Sequence, residues 1–167
     1  MNIRVLNKAD APLYQALRLR ALTINPEAFE STYQKEVDYT LEIICEQISP
    51  TNNRFMLGAF NNENILIGMV TFTRENDPKI KHKGHALSLF IAPEGRKHGT
   101  GKLLMNELIH RAKKCKGLEQ INLTVASKNV AAKTLYQSLG FMTYGIEKHS
   151  FKFQDVYYDV DFMAIHI

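Results

Sequence analysis

The chain has 167 residues, 45% of them hydrophobic, and a formal net charge of +4. That length suits one domain with a substantial core, residues 1–167 throughout, and no tract approaches the roughly 18 apolar residues of a membrane span. The opening MNIRVLNKAD has no signal-peptide core, so a soluble, cytoplasmic protein is expected. Cys45 and Cys115 are the only cysteines. With no CxxC or His/Cys cluster beside them, they read as structural thiols on apolar stripes, and no metal site is expected.

Taken in chain order, Ile3 to Leu6 reads as a short strand. Asp10 before Ala-Pro is a plausible helix cap, and Leu13, Leu17 and Ala21 give that helix an inward face up to Asn25-Pro26. The polar stretch EAFESTYQKEVD shows no period. Leu41, Ile44, Cys45 and Ile48 then mark one side of a second helix, stopped at Ser49-Pro50. Phe55 to Phe60 and Ile65 to Thr73 form a hairpin around Asn61-Asn62-Glu63-Asn64. HALSLFIAP is a nearly continuous apolar run, as in a strand covered on both faces. A helix follows with Leu104, Leu108, Ala112 and Cys115 on one side. INLTVA is another strand, and NVAAKTLYQSLGF a helix opened by Asn129 and closed by Gly140 in a left-handed cap. Strands over Met142 to Glu147 and Val156 to Ile165 complete a β-α-α-β-β-β-α-β-α-β-β order, an α/β fold with a mixed sheet.

Between strand and helix lies GRKHGTGK, Gly95 to Lys102. Amides of a helix's first turn, together with its dipole, make an anion site. Gly99 and Gly101 let backbone approach a phosphate without a Cβ in the way, and Arg96, Lys97 and Lys102 add positive charge. The alternative is a tight turn that binds nothing. A Walker A loop is excluded, because five residues separate Gly95 from Gly101 and Leu103 follows Lys102. A dinucleotide fingerprint is excluded by Leu104 where Gly or Ala is required. The basic clusters KIKHKGH and RAKKCK leave a nucleic-acid-binding domain conceivable on charge alone, but no RNP pattern, zinc-finger spacing or helix-turn-helix supports it.

Arg96-x-x-Gly99-x-Gly101 after LFIAPEG resembles the acyl-CoA-binding signature of the GNAT N-acetyltransferase superfamily. SKNVAAKTLYQSLGF, with Asn129, Ala132, Tyr136 and Leu139-Gly140-Phe141, is similar to the family's later segment, and VYYDVDFM to its last strand. The resemblance implies a mostly antiparallel sheet with a splayed central strand pair and helices on both faces. It also implies acetyl transfer from acetyl-CoA to a primary amine of a small molecule or protein by direct attack. It assigns the pyrophosphate to Arg96, Lys97, His98, Gly99, Thr100, Gly101 and Lys102, and the pantetheine arm to the backbone of Leu89, Phe90 and Ile91. The Leu89 amide would stabilise the oxyanion. Asn129, Lys133 and Tyr136 would complete the cofactor contacts, with Tyr136 the general acid for the departing thiolate.

Competing readings stay open: Asn129 as a plain N-cap, Tyr136 as a core aromatic, and the whole chain as a non-catalytic acyl-CoA sensor. No carboxylate stands at Leu87 or Ser88, where many relatives carry a base. His85 is nearby with a suitable ordinary pKa, against a default of surface histidine; water-relayed deprotonation or capture of the neutral amine would also serve. Glu30, Glu36, Asp38, Asp155 and Asp159 are candidates to attract a cationic acceptor. A homodimer is expected, resting on the resemblance and on the aromatic C-terminal strand.

Overall fold

The computed structural model describes residues 1–167. Seven strands form one sheet: β1 (Asn2–Val5), β2 (Arg54–Phe60), β3 (Leu66–Arg74), β4 (Lys83–Ile91), β5 (Gln120–Ala126), β6 (Met142–Phe153) and β7 (Val156–His166). Their spatial order is β1-β2-β3-β4-β5-β7-β6. Every neighbouring pair is antiparallel except β4 and β5. That parallel pair requires a crossover, which α4 (Thr100–Ala112) supplies.

The remaining helices are α1 (Ala11–Ile24), α2 (Tyr33–Glu36), α3 (Leu41–Ile48) and α5 (Val130–Ser138). Two apolar clusters occupy opposite faces of the sheet. Leu104, Met105 and Leu108 of α4 and Tyr136 of α5 pack with Val70, Ala86 and Leu123 on one face. Tyr14, Leu17 and Ala21 of α1 and Ile44 and Ile48 of α3 pack with Met69 and Phe90 on the other.

Local chemistry departs from the sequence expectations at a few points. Asp10 does not cap α1. Asn7 caps a 3-10 turn ahead of it, and the Asp10 carboxylate accepts from the Asn7 amide at 2.9 Å and from two Arg4 nitrogens, each at 2.7 Å. The stretch without a period contains α2, a single turn opened by Thr32, whose hydroxyl accepts from the Lys35 amide. The α4 helix ends at Ala112, so Cys115 lies in the turn beyond it, and both cysteines are half-buried rather than sealed in the core. β6 runs past Glu147 to Phe153, with register shifts that break its alternation.

Candidate active site

The parallel ladder between β4 and β5 has three rungs, ending at His85 opposite Asn122. Beyond it β4 keeps pairing with β3 alone, and the two central strands part. A bulge sits on the free part of β4: Leu87 pairs with Thr71 and Phe90 with Met69, leaving Ser88 and Leu89 opposite one residue. Ser88 adopts a left-handed conformation (φ 55°) there. The bulge turns a backbone edge without a ladder partner toward the opening. Leu89 thus combines a side chain packed against the α4-side core with a main chain at the split. Phe90 faces the opposite cluster, and Ile91 supports the α4 side.

At the wide end of the split lies the glycine loop. No acceptor within the chain meets the amides of Lys97, His98, Gly99, Thr100, Gly101 or Lys102. Six successive free donors at a helix N-terminus form a concave cradle of the kind that suits an anion. Left-handed conformations at Lys97 (φ 63°) and Gly99 (φ 77°) shape it. The two glycines act differently. Gly99 has open space around its α-carbon and is needed for its positive φ, whereas a Cβ on Gly101 would meet the Leu135 side chain at 3.1 Å. Gly101 therefore serves close packing of α4 against α5.

Not every basic side chain of the loop is free for a ligand. Arg96 donates from Nε to the Ile91 carbonyl and from Nη2 to Asn25 Oδ1, both at 2.9 Å, bracing the loop against the end of α1. A second brace joins Arg20 to Glu94 through two hydrogen bonds. The buried Thr100 hydroxyl donates to the Gly95 carbonyl. Lys97, His98 and Lys102 remain exposed at the cradle.

On α5, Asn129 is the N-cap, its Oδ1 accepting from the Ala132 amide at 3.1 Å. Lys133 is engaged with Asp161 of β7 at 2.6 Å, away from any free role. Asp161 is 1% exposed. Burial pushes its carboxyl pKa up, but Lys133 and the Ser127 hydroxyl outweigh this and hold it below the usual range. Tyr136 is 8% exposed, with its ring edge-on to Phe141 and no hydrogen-bond partner for its hydroxyl. Burial pushes that phenol up to about 12. It is a reliable proton holder and a poor base.

His85, at the vertex of the split, is half-buried and bonded through Nε2 to Glu75 at 2.8 Å, so it is not a free surface histidine. Among the carboxylates singled out for attracting an amine, Asp155 is paired with Lys152, and Asp159 with Lys148 and the His149 amide. Glu36 is buried against Arg18. Only Glu30 and Asp38 are exposed without a cation.

Sequence reasoning missed the arrangement on the α1 side. The 3-10 turn Pro26–Ala28 lies against β5, and Phe29 packs on Phe90, ring centroids 6.4 Å apart. Residues 25–36 thus border the split on the face opposite α4. The pairing of Arg18 with Glu36 had no local signal, since 18 positions separate them.

A central parallel pair that parts beside a bulge on β4, followed by a helix whose first amides are unpaired, is the arrangement of the GNAT fold. The model of the acetyltransferase (GNAT) family matches residues 19–141, and the chain belongs to that family. A GNAT acetyltransferase from Streptococcus pneumoniae is 25% identical and superposes with a TM-score of 0.88 over 99% of both chains. Ribosomal-protein-alanine N-acetyltransferase from Brucella melitensis is 23% identical, with a TM-score of 0.81 over the whole of both chains. A Salmonella typhimurium protein solved with acetyl-CoA is 20% identical, with a TM-score of 0.79 over 99% of this chain and 93% of that one. No curated protein matches the sequence.

Proposed function

We propose that this chain transfers an acetyl group from acetyl-CoA to a primary amine by direct attack. The observation that carries the reading is the run of six unpaired amides, Lys97 to Lys102, at the wide end of the split. Those amides hold the diphosphate, with Lys97 and Lys102 adding charge. The pantetheine arm pairs with the free edge of β4 over Leu89, Phe90 and Ile91, much as an added strand would. The Leu89 amide donates to the thioester oxygen as the amine nitrogen bonds to the thioester carbon. As the C–S bond breaks, the Tyr136 hydroxyl gives its proton to the sulfur, and solvent restores it.

The proton leaving the amine goes to water, or the acceptor enters in its neutral form, because no carboxylate stands on β4 beside the bulge. The two free thiols fit the reducing cytoplasm. A homodimer would not form by strand pairing through β7, which lies between β5 and β6. Edge strand β6, with Met142, Tyr144 and Ile146 exposed, is the surface that fits a second copy; light scattering over a range of concentrations tests it. Calorimetry with acetyl-CoA, followed by thiol release with a panel of amines, tests the main reading. Tight binding without release from any amine would favour the sensor alternative.

A further inference from the structure

The α1 side of the split holds one donor that nothing in the chain satisfies. Arg18 is 9% exposed. Its Nε and Nη2 donate to the two Glu36 oxygens at 2.8 and 2.7 Å, a bidentate pair. Its Nη1 is buried without any partner. The guanidinium carbon lies 4.8 Å from the centre of the Phe29 ring, and Phe29 in turn packs on Phe90 at the split. Nη1 is therefore one ring away from the strand that receives the thioester. An orphaned buried guanidinium donor is costly, which makes it a place where a ligand oxygen adds affinity.

The charge of that oxygen follows from Glu36. Burial pushes the Glu36 carboxyl up, but the Arg18 hydrogen bonds outweigh it and hold it below the usual range, so it is ionised. The pair is neutral as a unit. A carboxylate brought to Nη1 would leave a net negative charge in a buried setting, which is unfavourable. A neutral carbonyl oxygen satisfies the donor without that charge.

Resting on the acetyltransferase reading, we propose that Arg18 selects an acceptor amine carrying a neutral carbonyl close to it: the aminoacyl end of a peptide chain. The Phe29 ring moves aside to admit it, and Nη1 donates to the carbonyl of the first residue. Glu36 is a positioning residue that fixes the guanidinium and cancels its charge.

The test compares alaninamide, alanine and 3-methylbutan-2-amine, matched in size and differing in carbonyl, carboxylate or neither. Binding of each to the protein saturated with CoA is measured by calorimetry, so that turnover is not required. Alaninamide is expected to bind roughly tenfold or more tighter than the other two. In the Arg18→Gln/Glu36→Gln double variant the three should converge to within about threefold. Glu36→Gln alone leaves Arg18 charged and uncompensated, so alanine should overtake alaninamide. A merely structural pair would not invert the preference, and the single variant keeps the test alive if the double variant fails to fold. Equal binding of all three by the parent, or an unchanged order in Glu36→Gln, would overturn the proposal while leaving acetyl transfer untouched. Inverted preference with no thiol release from any amine would instead overturn the transferase reading alone.

Discussion

The two sides of the split strands are built from different materials. On the α4 side the groups beside the opening are main-chain amides, shaped by positive φ at Lys97 and Gly99. On the α1 side they are side chains, Arg18, Phe29, Glu36 and Phe90, brought together from three segments and ordered by one buried ion pair. A backbone site asks only for glycine, charge and a helix start, and so tolerates much sequence change. A side-chain site depends on identities at distant positions. Cofactor and acceptor specificity can accordingly vary independently in one fold.

The largest effect should come from a side chain. Tyr136→Phe keeps the ring and its edge contact with Phe141 at 6.0 Å, so stability and acetyl-CoA affinity should hold. Turnover at saturating substrate should fall by about 10²- to 10⁴-fold if the hydroxyl protonates the thiolate. A variant that turns over like the parent would reduce Tyr136 to a core aromatic.

The next effect tests the backbone half. Gly99→Val places a β-branched residue at φ 77° with no crowding around it, so the strain falls on the loop rather than on the core. Acetyl-CoA affinity should drop by about a hundredfold, a loss of about 2.7 kcal/mol, with the far-UV spectrum unchanged. Unaltered affinity in a folded variant would detach the cradle from cofactor binding. Gly101 is the poorer probe, since a side chain there also collides with Leu135.

These contrasts explain what was legible. The element order, the glycine loop and the cap at Asn129 carry local signals, glycine placement and helical spacing, and all appear in the fold. Asp161 carries none: it alternates with apolar residues on β7. It is buried because β5 pairs Val125 beside it and α5 delivers Lys133 across it. Arg18, inside a helix, reads as an ordinary surface cation until Glu36 arrives from a segment with no period. Arg96 was legible as a loop residue, but its direction was not, because the contact with Asn25 spans 71 positions.

The pH dependence sharpens the account of the proton. If no group on β4 accepts it, kcat/KM should rise about tenfold per pH unit until the acceptor amine reaches its own pKa. No decline should follow below about pH 11, because a phenol pushed up to about 12 keeps its proton there. A fall of about tenfold or more in kcat/KM across the whole pH range in His85→Gln would instead assign the base to the pair His85 forms with Glu75.

The smallest effect separates a brace from a ligand contact. The Arg96 side chain is exposed, yet both of its hydrogen bonds end on protein oxygens, Ile91 O and Asn25 Oδ1. Exposed bonds of this kind contribute about 0.5–1.5 kcal/mol each, and only the part that preorganises the loop reaches the ligand. Arg96→Met keeps the stem over the Phe90 ring, where the guanidinium carbon now lies 5.8 Å from the centroid. Acetyl-CoA affinity should weaken about threefold to tenfold, and its decline with added salt should keep the parent slope. Lys97→Met and Lys102→Met remove cations free to meet the diphosphate, so each should flatten that slope, since exposed charge attraction is screened by salt. A flattened slope in Arg96→Met would show the guanidinium leaving its brace to bind phosphate, and the α4 side would then share the side-chain logic of the α1 side.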